Sequence, residues 1–154
     1  MSKKLKLSWY HLAIPIVVIL FCPIMLVSFK PHVYPYIVAV PADYAALTSP
    51  VSPVFSRAKY FIVYNFQDNS VKTLLNRYAN IDRGAGLLVA HLLVEQKVGV
   101  VIGKNVGPEP FEHLTRRGVR IFTGLAINVE DALFKFRAKQ LIQMNGPTGF
   151  SKTF

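Results

Sequence analysis

The apolar positions of this chain fall into one long run followed by a series of short ones. From Ser8 to Phe29 there is no Asp, Glu, Lys or Arg, and residues 12–29 are almost wholly apolar. At ~1.5 Å per residue, a helix over residues 8–29 is about 33 Å long, enough for a bilayer core. Trp9 and Tyr10 stand where interfacial aromatic side chains anchor such a span, and Pro15 and Pro23 are tolerated within it. The pattern predicts an uncleaved transmembrane signal anchor with its linker over residues 1–32. A cleaved signal peptide is the competing reading, with Lys3, Lys4 and Lys6 as its basic region. The run exceeds the usual apolar length for that role, however, and no small-x-small cleavage site follows it before Lys30. Phe21 in front of Cys22 also lacks the small residue a lipoprotein signal needs. Three lysines precede the run and Lys30 alone follows it closely. The positive-inside bias then puts the N-terminus in the cytoplasm and the rest on the periplasmic or luminal side.

The shorter runs read as alternating strands and helices. Residues 36–40 form a buried strand that Pro41 is expected to end. Residues 60–66 and 71–78 form a hairpin around Gln67-Asp68-Asn69-Ser70, whose Asp and Asn suit a turn. Residues 87–97 place apolar side chains around much of a helix, and 98–102 are a continuous apolar run of the kind found in central parallel strands. Pro108 suits the first position of a second helix and Gly118 its left-handed end. Residues 119–123 give the next strand. Asn128 caps a last helix, with Glu130 and Asp131 at its start and Lys135, Arg137 and Lys139 toward its end. The expected fold is α/β: a mixed five-stranded sheet with helices on its faces, plus the N-terminal transmembrane helix. The domain spans 33–142, and 143–154 read as a loose C-terminal tail.

Charge changes the picture by naming classes of partner. The chain carries 18 Lys and Arg against 8 Asp and Glu, a formal net charge of +10. Lys3, Lys4, Lys6 and Lys30 flank the apolar run, which leaves a surplus of six positive charges elsewhere. Such a surface favours anionic partners: membrane headgroups, acidic protein faces or anionic metabolites. The basic residues are scattered and no nucleic-acid motif is present, so nucleic acid is not an expected partner. Cys22, the only cysteine, lies inside the apolar run, which excludes a disulfide framework and a cysteine metal site.

Candidate chemistry is sparse. No two histidines stand at the spacing of a metal pair, and His91 and His113 read as isolated side chains on separate helices. The serines and acidic residues form no triad or carboxylate pair, so no enzyme activity is expected. Arg83-Gly84-Ala85-Gly86 opens a helix whose amides could receive an anion. The same glycines equally suit a tight turn and close packing.

Three stretches carry a family resemblance. Residues 49–61, Ser-Pro-Val-Ser-Pro-Val-Phe-Ser-Arg-Ala-Lys-Tyr-Phe, are similar to the opening S-P-V-S-x-H-F-G-R-A-x-Y-F of the dinitrogenase iron–molybdenum cofactor carriers, the NifX-type domains. Arg83-Gly84-Ala85-Gly86 resembles their G-A-G turn. Residues 98–111 and 118–124 resemble their strand-then-G-P-x-x-F segment and their A-G-I-x-V-Y-x-G strand. The resemblance covers about residues 36–140 and implies a ribonuclease-H-like layered fold. It also implies that Arg57 and Lys104 lie near Arg83, Gly84 and Gly86, making a small anion site there. Pro53, Val54, Phe55 and Ser56 form the corresponding interaction loop. Where the family has its metal-holding histidine this chain has Val54, expected to pack beside Phe55 and Val51. The expected function is therefore a non-enzymatic, membrane-anchored accessory or assembly subunit without a cofactor, working with membrane protein partners and the lipid bilayer. The alternative is a membrane-tethered carrier of iron or an iron-containing cluster.

Overall fold

The computed structural model describes residues 33–149. The predicted anchor over 1–32 lies outside them, and no helix among the described residues is long and apolar enough to cross a membrane. In chain order the elements are β1 (Tyr34–Ala42), a 3-10 turn (Phe55–Arg57), β2 (Tyr60–Asn65), β3 (Ser70–Leu75), α1 (Ala85–Glu95), β4 (Val98–Ile102), α2 (Pro108–Arg116), β5 (Arg120–Thr123), α3 (Val129–Arg137) and β6 (Ile142–Gln143). They form one sheet in the order β3-β2-β1-β4-β5-β6. β1, β4 and β5 run parallel, while β2, β3 and β6 join antiparallel to their neighbours.

The sheet is mixed, as expected, but has six strands rather than five. The additional strand, β6, pairs Ile142 with Thr123 and Gln143 with Phe122. Two residues are too few to show the period-two alternation by which a strand is read. The segment after it is also less loose than expected: Met144 is buried, and the amides of Thr148 and Gly149 both donate to the Val106 carbonyl at 3.0 Å.

Alternation along the strands divides the core into two layers. Val38, Val40, Ala42, Ile62, Val100 and Ile102 face α3, which meets them with Val129, Ala132 and Leu133. Ala39, Phe61, Val63, Val101 and Ile121 face the opposite way, toward α1 and α2. There α1 buries Val89, Ala90, Leu93 and Val94, and α2 buries Leu114. Side chains on successive strand residues point to opposite faces, so one strand serves both layers.

The helix ends carry their expected signals. Pro108 opens α2, and Gly118 adopts φ +82° after it. Asn128 Oδ1 accepts from the Asp131 amide at 2.8 Å, and Asp131 Oδ2 accepts from the Ile127 amide and from Lys135 Nζ, both at 2.9 Å. The Lys135 hydrogen bond, with that of the Ile127 amide, holds the Asp131 carboxyl below the usual carboxylate range.

Pro41 does not end β1. The strand continues to Ala42, with Pro41 opposite Phe61 of β2. The Pro41 carbonyl accepts from the Ser52 amide at 3.0 Å, on the edge away from β2. The missing N–H faces that same edge, beyond the last pairing of β1 with β4 at Ala39 and Val101, so no ladder bond is lost.

Candidate binding edge at the ends of the parallel strands

The connection from β1 leads to β2 on one side of the sheet, and that from β4 leads to β5 on the other. Their diverging loops make a switch point at the C-terminal ends of β1 and β4, where ligands of open α/β sheets characteristically bind. In this chain the edge collects the 43–59 loop, the start of α1, the 103–107 loop and the start of α2.

The 43–59 loop is held by buried polar side chains. Ser49 is fully buried; its Oγ accepts from the amides of Asp43 (2.9 Å) and Tyr44 (3.0 Å) and donates to the Pro50 carbonyl (3.1 Å). Asn76, also buried, donates through Nδ2 to the carbonyls of Ser56 (3.1 Å) and Ala58 (2.7 Å) and accepts from the Tyr78 amide (3.0 Å). Phe55 is fully buried and meets Phe61 edge-on, with ring centroids 5.4 Å apart. Across the switch point, Asn105 Nδ2 donates to the Pro53 carbonyl at 2.9 Å, tying the loop after β4 to the loop after β1.

The structure places the predicted site residues on this edge with distinct duties. Arg57 donates through Nη1 to the carbonyls of Ala79 (2.7 Å) and Ile81 (2.8 Å), so its guanidinium braces the loop that leads into α1. Gly84 precedes α1 with φ +74°, and a Cβ there would meet nothing within 4 Å. Gly86 lets the first turns of α1 and α2 touch, since a Cβ on it would lie 3.0 Å from Pro110 Cγ. Arg83 is exposed and makes no hydrogen bond or ion pair with a described residue. Pro53 is exposed and Ser56 half-buried. Val54 is not the packing residue expected: it is 37 % exposed, because its neighbour Phe55 takes the inward position while the Val54 carbonyl receives the amides of Arg57 and Ala58. Its aliphatic side chain offers no ligating atom where the resembling carriers have an imidazole.

One pairing was invisible in the sequence. His91 on α1 and His113 on α2 bring their rings to 3.9 Å between centroids, tilted by 45°. Residues 22 positions apart on separate helices show no spacing signal, and only packing of α1 on α2 joins them. His113 Nε2 is buried with no hydrogen-bond partner among the described residues. Desolvation, then the neighbouring His91, Arg117 and Arg116, lower the His113 pKa below the ordinary value. The unfolded chain therefore takes up this proton first, and folding is fully supported only above the ordinary histidine range. The melting temperature should fall as pH drops through that range, and His113→Gln should flatten the fall. A pH series of thermal melts on both proteins checks this. Among the described residues no group of three or more His, Cys, Asp or Glu could hold a metal ion.

The fold and this edge define a mixed α/β domain with helices on both sheet faces and a loop-built switch point. The chain belongs to the dinitrogenase iron-molybdenum cofactor family, whose sequence profile matches residues 36–139. Among solved structures it is similar to the apo form of the orange protein from Desulfovibrio gigas, at 27 % identity and TM-score 0.72, over 75 % of this chain and 98 % of that one. It is also similar to a candidate NifB protein from Thermotoga, at 32 % identity and TM-score 0.64, over 77 % of this chain and 99 % of that one. A candidate dinitrogenase from Methanocaldococcus jannaschii shares the fold, at 22 % identity and TM-score 0.54, over 74 % of this chain and 99 % of that one. No curated protein matches the chain.

Proposed function

We propose that this chain is a non-enzymatic, membrane-tethered accessory or assembly subunit that uses a dinitrogenase cofactor-family domain to hold membrane protein partners. The observation that carries the reading is a set of exposed apolar side chains, two of them on the connection from β5 to α3 beside the switch point. Leu125 is 84 % exposed, Ile127 82 %, Phe134 66 % and Ile142 72 %. These lie on the β5–α3 connection, the outer side of α3 and the edge strand β6. Lys135 Nζ donates to the Leu125 carbonyl, and Asp131 takes the Ile127 amide, so the connection is pinned against α3 with its apolar side chains outward. Leu125 and Ile127, two residues apart on one pinned connection, are exposed apolar side chains of the kind that mark interaction surfaces. The apolar run over 12–29 supports a tether that keeps this surface near other membrane proteins.

The test is capture of the full chain in mild detergent, with mass spectrometry of what accompanies it. A fixed set of membrane proteins should co-purify and should be lost from a Leu125→Ser, Ile127→Ser double variant whose melt is unchanged. An identical set in both proteins would remove the surface from the account.

A second reading, a membrane-tethered carrier of iron or an iron-containing cluster as cargo, is favoured by the family, which is named for an iron-molybdenum cofactor. Against it stands the donor set of the edge, where Val54, Arg57 and Asn105 supply neither imidazole nor thiolate.

A further inference from the structure

Where the chain enters the domain, at the end of the sheet opposite the loop edge, the surface is basic. The Tyr34 amide donates to the Lys97 carbonyl at 3.0 Å, and Lys97 Nζ lies 5.9 Å from the centre of the Tyr34 ring. A Cβ on Gly118 would lie 3.6 Å from Val33 Cγ2, so the first described residue packs beside the turn that leads from Arg117 into Arg120. Arg120 in turn lines a cavity of about 480 Å³ between α3 and the β5–β6 edge. Arg137 and Lys139 supply two further cations there, and Phe122, Phe136 and Leu141 an apolar floor. No acidic residue lines this cavity. The described ion pairs engage other cations, Arg116 with Glu112 and Lys135 with Asp131. Arg120 is over the Phe122 ring, 5.7 Å from its centre, which aims the guanidinium without neutralising it.

We infer that this basic end, with Arg120, Arg137 and Lys139 around the cavity, binds the phosphate of an anionic phospholipid and seats the domain on the bilayer. The inference rests on the tethered reading in one respect, the distance from the membrane. If residues 12–29 span the bilayer, four further residues at ~3.5 Å each keep Val33 within about 14 Å of the headgroups. Arg117 and Arg120 flank Gly118 at that point of entry. Cations this close to an anionic leaflet are attracted to it, and the apolar floor accepts the glycerol and upper acyl carbons that accompany a headgroup phosphate.

The experiment uses the full chain in nanodiscs of phosphatidylcholine, with or without phosphatidylglycerol, carrying a spin label on the lipid headgroup. Amide resonances of residues 117–122 and 137–143 should broaden in the anionic discs, and high salt should reverse the effect. Those of Asp43 and Val54, on the loop edge at the opposite end of the sheet, should stay sharp. An R120Q/R137Q/K139Q variant should lose the broadening and keep its melting temperature, since all three side chains are exposed. Equal broadening in neutral discs, or its survival in the variant, would overturn the inference. So would inorganic pyrophosphate shifting the same amides as strongly in neutral discs, because the ligand would then be a soluble phosphate. Alkaline carbonate extraction of the full chain from neutral vesicles tests the tether separately. Release there, with phosphatidylglycerol-dependent rebinding that the variant loses, would sink the tether and leave the headgroup site standing.

Discussion

Replacing Phe55 by Ala should destabilise the domain by about 3–5 kcal/mol, the usual cost of emptying a buried aromatic site. Phe55 sits in the 3-10 turn of the 43–59 loop, is fully buried, and shares the core of the α1–α2 face with Phe61, Val89 and Leu93. It is the plug by which a loop becomes part of the core. Its loss should therefore release the whole loop edge as well as lower stability. Denaturant unfolding gives the first quantity, and amide exchange at Arg57 and Ala58, whose amides bond the Val54 carbonyl, gives the second. A loss below about 1 kcal/mol with unchanged exchange would show that the loop is held by its polar anchors, Ser49 and Asn76, instead.

The second large effect is expected at Gly99, the second residue of β4. A Cβ there would lie 2.2 Å from the Tyr34 carbonyl oxygen and 2.8 Å from the Pro35 nitrogen. These are backbone atoms, so no side-chain rotation relieves the clash. The register of β1 against β4 is irregular between Tyr34 and Val38, and Gly99 is the residue that allows β1 to cross so closely there. Gly99→Ala should push the start of β1 off β4 and cost about 3 kcal/mol, the upper end of what overpacking in a core usually costs. A thermal melt measures the cost. Lost protection of the Tyr34 amide, which bonds the Lys97 carbonyl, would locate it.

The contrast between these residues shows what the amino-acid sequence discloses. Residues 98–102 read as a central strand because every one of them is buried between two helical layers, which leaves a continuous apolar run. The starts of α2 and α3 were legible because Pro108 and Asn128 act through local geometry that needs no partner. Pro41 misled because its place in β1 depends on where β4 stops pairing, a fact of tertiary register. β6 and the packed 144–149 segment were hidden because their bonds run to β5 and Val106, distant in sequence. At the candidate edge, the motif residues Arg57, Gly84 and Gly86 lie on one end of the domain. The motif did not show that Arg57 is already bound to main-chain carbonyls, since its partners Ala79 and Ile81 lie more than twenty residues away. His91 and His113 meet for the same kind of reason, through helix packing that no spacing rule encodes.

The most direct measurement on the account as a whole is the iron content of the full chain after anaerobic purification, for wild type and for Val54→His. Val54 is exposed, so the substitution should leave the melting temperature nearly unchanged and report only on ligation. An assembly subunit whose edge lacks ligating side chains should carry only trace iron in both proteins while its membrane partners co-purify. Stoichiometric iron in the wild type, or iron gained by Val54→His together with a higher melting temperature, would mean that a working cargo pocket persists and would contradict the account.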